Sequence, residues 1–371
     1  MLTNKEECTM KKLVSILLAA LMLLSVAAFA EGDYRVAMIT DYGDITDQSF
    51  NQTTYEACKA FCEANGVDFT YYKPNGDSTA ERVAMVEKAD DEGYNVIVMP
   101  GYAFGETIAE VQEEYPDITF IALDVSEGDL GGAAVADNVY CAVYKEELCG
   151  YMAGYAAVKL GYTHLGFLGG MAVPAVVRYG FGFVQGANAA AEELGNADQV
   201  TVEYVYGNQF YGDADITAYM DNWYQNLGVQ AVFACGGGIF TSAGEAAAKV
   251  DGGKVIGVDV DQAATIDGLY GEGITVTSAM KGLAATVETL LTKTVAGEFE
   301  GGKVEALGLV GEDPAANYVQ LAGSTQFGEG FTEDDYKALV AAMFNGDVTV
   351  SDSIDAMPET TITVNDLGTV K

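Results

Sequence analysis

The sequence predicts an α/β protein of two lobes, each built on a parallel sheet with helices on both faces. Three observations carry this expectation. Short apolar runs alternate with amphipathic stretches of helical period along most of the chain, which is the pattern of strand–helix–strand units. The runs are nearly continuous in apolar residues, as strands buried on both faces are. The chain has 371 residues, more than one core usually supports, and the pattern restarts after residue 140.

The first half reads as the strand Val36–Ile39, a helix over 48–65 ending near Gly66, and the strand Val67–Tyr72. A helix over 79–92, the strand Asn95–Met99, a helix over 104–114 and the strand Thr119–Leu123, ending at Asp124, complete it. A long helix over 143–160 then precedes the strand His164–Leu168 and a helix over 175–194. The strand Val200–Val205, a helix over 213–227, the strand Ala231–Ala234, a helix over 242–250 and the strand Val255–Val258 follow. Ile274–Thr277 and a helix over 280–296 lead into a tail with weaker strands and a helix over 333–344. The expected division is 31–140 with 273–300 as the first lobe and 141–272 with 301–371 as the second.

The N-terminus reads as a targeting segment rather than part of the fold. Met10-Lys-Lys12 is a basic start, Leu13 to Phe29 is an apolar run of signal-peptide length, and Ala28-Phe29-Ala30 is a small-x-small cleavage site. Export with cleavage after Ala30 is expected, to the outer face of the membrane or the periplasm. Cys8 precedes the apolar run, so no lipid-anchor cysteine stands at its end. Formal net charge is -37, and the first 30 residues carry Lys5, Lys11 and Lys12 against Glu6 and Glu7, leaving -38 beyond them. Such a field repels phosphates, anionic lipid heads and nucleic acid, so no nucleic-acid partner is expected. It also serves the plainer purpose of solubility. Cys58, Cys62, Cys141, Cys149 and Cys235 show no zinc spacing and read as buried small apolar residues.

The densest chemistry follows the first strand, where residues 47–52 read Asp-Gln-Ser-Phe-Asn-Gln. In an open α/β sheet, ligands bind beyond the carboxyl ends of the strands. Asp47 offers acceptors for sugar hydroxyls, Asn51 both donates and accepts, and Phe50 offers a ring for a base or a pyranose face. The same residues also suit a plain helix start, with Asp47 or Ser49 as cap and Phe50 in the core. Gly101 with Tyr102, and Asp124, follow the third and fourth strands. From the second half come Gly169-Gly170, Phe210, Gly236-Gly-Gly238, Asp259-Val-Asp261-Gln262 and Lys281. Each stands at or just past a strand's carboxyl end. Phe50 and Phe210, from opposite lobes, suit the two sides of a planar base, and Asp259 with Lys281 suits ribose hydroxyls.

Four segments together resemble the basic membrane protein family, the substrate-binding proteins of purine-nucleoside ABC importers. They are Asp47–Gln52, Gly166-Phe-Leu-Gly-Gly-Met171 with Pro174 and Gly182-Phe183, Gly257-Val-Asp-Val-Asp-Gln262, and Thr277-Ser-Ala-Met-Lys281. The resemblance runs from about residue 34 to about 330. It implies a type I periplasmic-binding-protein fold of two Rossmann-like lobes, a nucleoside in the cleft and a membrane permease as partner. It further implies that Phe50 and Phe210 stack on the base and that Asn51 and Asp124 bond its edge. Asp259 and Lys281 would hold the ribose near Gly237 or Gly238, with Asp47 and Ser49 at the start of the first motif. Tyr211 competes with Phe210 for the second stacking position. This chain departs from the family in lacking the lipid-anchor cysteine and in its acidity.

An enzyme needs a nucleophile, a base and an orienting group in reach of each other. His164, the one histidine, stands at the amino end of a strand, and no GxSxG, HExxH or Cys–His arrangement occurs. The expectation is a monomeric binding protein without cofactor or metal. The alternative is a sugar or autoinducer receptor of the same fold.

Overall fold

The computed structural model describes residues 34–370, so the expectations for the export segment and its cleavage site lie outside the described residues. Two sheets organise the chain. The first contains β1 (Arg35–Ile39), β2 (Asp68–Tyr72), β3 (Val96–Pro100), β4 (Thr119–Leu123), β5 (Val139–Tyr144) and, from far along the chain, Lys303–Leu307. Its order is Lys303–Leu307, β5, β4, β3, β1, β2, all parallel. Helices α1 (Phe50–Asn65), α2 (Thr79–Asp91) and α3 (Phe104–Val111) connect its strands.

The second lobe begins with α4 (Glu146–Lys159), followed by β6 (His164–Gly169), α5 (Pro174–Leu194), β7 (Thr201–Tyr206) and α6 (Ala214–Asn222). Then come β8 (Ala231–Cys235), α7 (Phe240–Ala247), β9 (Lys254–Asp259), α8 (Ala263–Tyr270) and β10 (Thr275–Lys281). After α9 (Leu283–Val295), the strand Lys303–Leu307 is β11, and β12 (Val319–Leu321), α10 (Glu333–Phe344) and β13 (Thr363–Thr369) close the chain. The second sheet has the order β12, β10, β9, β8, β6, β7, β13, with β12 the one antiparallel strand. Apolar strands with both faces buried are what the near-continuous runs required: β3, β8 and most of β6 and β9 are buried throughout.

Two differences from expectation concern the lobes. β10 pairs with β9 in the second sheet, where residues 273–300 were assigned to the first lobe; only α9 of that stretch packs on the first lobe, against α1. β11 lies in the first sheet, where 301–371 was assigned to the second. The expected helix over 143–160 also starts later, because β5 runs to Tyr144 and only Lys145 separates it from α4. The chain thus crosses between lobes three times, at 145, at 282 and over 308–318. The crossings are bonded side by side: the Lys145 N–H donates to Leu307 O at 2.9 Å, the Gly282 N–H to Tyr318 O at 2.7 Å, and the Tyr318 N–H to Gly308 O at 3.0 Å.

Glycine sets the geometry of the second lobe. Gly150 and Gly154 on α4 face Gly182 and Gly186 on α5. A Cβ at Gly154 would lie 2.0 Å from Phe183 O, and one at Gly182 would lie 2.1 Å from Glu147 O. The two helices therefore touch backbone to backbone, which brings the first turn of α4 beside Arg178 and Tyr179 of α5. The five cysteines among the described residues are free and buried, as small apolar residues would be. His164 stands at the start of β6, with Nε2 3.1 Å from Glu203 Oε1.

Gly154→Ala tests this contact. Helix propensity alone favours Ala by about 1 kcal/mol, but the clash reverses the sign, and a net loss of about 1–3 kcal/mol is expected in urea denaturation. Gly268→Ala on α8, where a Cβ meets nothing within 4 Å, should stabilise by up to about 1 kcal/mol.

Candidate functional site

The carboxyl ends of both sheets face a cavity of about 670 Å³ between the lobes. That volume is in the range of small-molecule sites. Asp47, Phe50, Asn51, Gly101, Asp124, Phe210, Gly237, Gly238, Asp259 and Lys281 all line it, as do Tyr102 and Tyr211. Ser49 does not. It is fully buried, and its hydroxyl crosses to the opposite lobe to donate to Asp259 Oδ2 at 2.5 Å. Beside it, Gln262 Nε2 donates to the backbone carbonyl of Gln48 at 3.1 Å, so these two contacts join the lobes directly.

Asp47 serves the helix start as well as the cavity. Its carboxylate accepts from the N–H groups of Ser49 and Asn51 at 2.9 Å and of Gln52 at 3.1 Å, three of the donors left free where α1 begins. The Asn51 carboxamide donates to Asp47 Oδ2 at 3.1 Å and to Asp41 Oδ1 at 3.2 Å. Its own Oδ1 is buried with no partner among the described residues.

Lys281 is the electrostatic centre. Its side chain is 3% exposed, with Nζ 2.6 Å from Asp124 Oδ2 and 3.2 Å from Glu146 Oε1. The same ammonium stands 5.1 Å from the centre of the Phe50 ring and 5.5 Å from that of Tyr179, within cation–π range. Burial works to lower the lysine pKa, but the carboxylates of Asp124, Glu146 and Asp259 overcome it and hold the group charged. Glu146 is completely buried, and its other oxygen accepts from Arg178 Nε at 2.6 Å. Burial pushes the Asp124 and Asp259 carboxyls upward, against the pull of Lys281. Asp124 Oδ1, like Asn51 Oδ1, is buried without a hydrogen-bond partner.

Asp124 and Asp259 close equivalent strands, β4 and β9, and both adopt left-handed backbone, with φ of 59° and 65°. Non-glycine residues seldom hold that conformation, and where they do the surrounding structure imposes it. Gly101 at φ 127° and Gly236 at φ 149° turn the chain after β3 and β8 where a side chain would not fit: a Cβ on Gly101 would lie 2.7 Å from Asp41 Oδ2.

Asp41, Tyr42, Glu146, Arg178 and Tyr179 also build the site, although none stands among the residues expected from the sequence. Asp41 had the same signal as Asp124 and Asp259, an aspartate at a strand's carboxyl end, and burial pushes its carboxyl up to about 6. Phe210 stacks on Tyr42, centroids 6.0 Å apart and planes 12° apart, whereas Phe50 faces the ammonium of Lys281.

Residues 34–312 match the family described as ABC transporter substrate-binding protein, PnrA-like. The chain belongs to this Bmp family. The family comprises substrate-binding proteins of ABC transporters, not enzymes, with a small-molecule ligand and a membrane permease as partner. A relative from Lactococcus lactis, named ABC transporter nucleoside-binding protein BmpA, is 27% identical over 80% of this chain and 88% of its own. A Listeria innocua protein named CD4+ T-cell-stimulating antigen is 32% identical over 74% and 77%. A solved solute-binding protein of an Aeropyrum pernix ABC transporter superposes with a TM-score of 0.66 at 21% identity, covering 86% and 87%. The Bmp chain described here thus has the type I fold of such proteins. Among the described residues, no helix is long and apolar enough to cross a membrane.

Glu147, next to Glu146, supplies a test of the buried charge. Burial pushes its carboxyl up to about 7, the neighbouring Glu146 adds to the push, and its Oε2 has no partner. The folded protein therefore holds a proton between about 4.5 and 7 that the unfolded chain has released, so stability falls as pH rises through that window. Glu147→Gln should stabilise the protein by roughly 2 kcal/mol at pH 8. The gain should vanish below pH 4.5, read by urea titration at both values.

Proposed function

We propose that this protein captures a purine nucleoside between its lobes outside the cell membrane and delivers it to an ABC permease. The observation that carries the reading is a pair of buried acceptors, Asn51 Oδ1 and Asp124 Oδ1, on residues lining the cavity and lacking partners. Buried polar atoms left open in a binding protein are sites for ligand donors, and a purine edge carries N–H groups. Phe50 and Phe210 line the same cavity and offer faces for the base.

In this reading Asp259 and Lys281 take the ribose hydroxyls. Gly237 and Gly238 let the backbone come close, and Asp47 holds Asn51 in place. Ser49 acts across the lobes rather than on the ligand. Seven aspartates on the wall, Asp41, Asp47, Asp124 and Asp259 among them, outnumber the cations Lys73, Arg178 and Lys281, which favours an uncharged nucleoside over its phosphate esters. Closure follows as a population shift, since only the closed form has both lobes in contact with the ligand. The relative named as nucleoside-binding agrees with this assignment.

Isothermal titration after refolding, to remove carried-over ligand, should show tight binding of inosine, guanosine or adenosine and none of ribose. Silence toward every nucleoside, with a thermal shift from a free sugar, would overturn the assignment. Phe50→Ala should cost roughly 1–3 kcal/mol of binding while the melting temperature of the free protein holds.

A further inference from the structure

We propose that Tyr42 is a retaining residue of the cleft. Its ring and that of Phe210 form an aromatic clasp between the lobes, which favours the closed state and sets how long a ligand stays. Tyr42 follows β1 of the first sheet, and Phe210 follows β7 of the second. The rings are parallel to within 12°, with centroids 6.0 Å apart, and both are half-buried on the cavity wall. A contact between rings on different lobes exists only while the lobes are together, so its free energy belongs wholly to the closed state.

Each ring is positioned by its own lobe. Tyr42 sits in a turn fixed by Asp41, whose buried carboxylate accepts from the Gly43 N–H at 2.6 Å. Phe210 lies in a groove that only glycines leave open: a Cβ at Gly170 or at Gly236 would approach its Cδ1 to 2.5 or 2.8 Å. The Gly238 N–H donates to Phe210 O at 2.9 Å, and Asn208, at φ 60°, turns the chain toward it. Rings already held this way lose little freedom when they meet. Phe50 meets a charge rather than a ring from the opposite lobe: the Lys281 ammonium stands 5.1 Å from its ring centre.

Tyr42 therefore acts through Phe210, and its removal should change dissociation more than association, since entry precedes closure. The ligand arm of the test rests on the nucleoside reading, and a scattering arm does not. With inosine as probe, Tyr42→Leu should raise the dissociation rate about five- to tenfold, with the association rate nearly unchanged. Without ligand, the same variant should show a larger radius of gyration by small-angle scattering. Tyr42→Phe, which keeps the ring, should recover the retention, and Tyr42→Leu should add nothing in a Phe210→Leu background. Unchanged dissociation and unchanged scattering in Tyr42→Leu would overturn the clasp. So would equal loss in Tyr42→Phe and Tyr42→Leu, which would assign the effect to the Tyr42 hydroxyl rather than to its ring. If the wild-type protein ignores inosine, the nucleoside reading fails, and scattering alone decides the clasp.

Discussion

The ammonium of Lys281 is buried at the meeting of the two lobes, and a charge removed from water must be met by opposite charge and hydrogen bonds. That requirement reaches through the whole cleft. Asp124 supplies one carboxylate from the end of β4, in the first sheet, and Glu146 supplies another from the start of α4, in the second lobe. Glu146 is itself completely buried and shared with Arg178 of α5. Lys281, Asp124, Glu146 and Arg178 thus form one network anchored on four elements from two lobes. Removing any member would leave a buried charge unmatched, and such losses are far larger than those of exposed pairs.

The fold is arranged to hold that network in register. Backbone contact between α4 and α5 through Gly150, Gly154, Gly182 and Gly186 fixes Glu146 beside Arg178 to within the tolerance of a hydrogen bond. Asp124 and Asp259, at the ends of β4 and β9, share the same left-handed backbone, so the two lobes present a carboxylate in the same way. The strands beneath them are apolar on both faces and make a rigid floor. Strain at the two aspartates is maintained by the packed sheets behind them.

Much of this was legible in the sequence, for a physical reason. A parallel sheet exposes its carboxyl edge to ligand, so polar residues that end apolar runs mark the cleft, and Asp124, Asp259, Gly101 and Lys281 all stand on its wall. Asp41 obeyed the same rule but was outweighed by the denser motif six residues on. Glu146 and Arg178 were hidden because helix-borne charges usually face water, and only the tertiary contact of α4 with α5 buries them. β5 was missed because Val139–Tyr144 runs into a helix with one residue between, which leaves no punctuation. β11 carries no local sign of its sheet, since its partner β5 lies far away in the chain. Ser49 looked like a ligand residue because its hydroxyl is polar chemistry in the right motif. Which carboxylate it would satisfy is decided by lobe closure, which no local pattern encodes.

The three crossings between lobes, bonded edge to edge at Lys145, Leu307, Gly308, Tyr318 and Gly282, form a narrow ribbon. A ribbon of parallel segments behaves as a leaf spring. It bends readily about an axis lying across its width, and it resists shear and in-plane rotation, because those motions must break its cross-links. Such a joint favours a swing of the lobes over shear between them. The Ser49–Asp259 bond, the Gln262–Gln48 bond, the Lys281–Asp124 pair and the Tyr42–Phe210 stack all span the two lobes, so a swing that parts the lobes breaks all four.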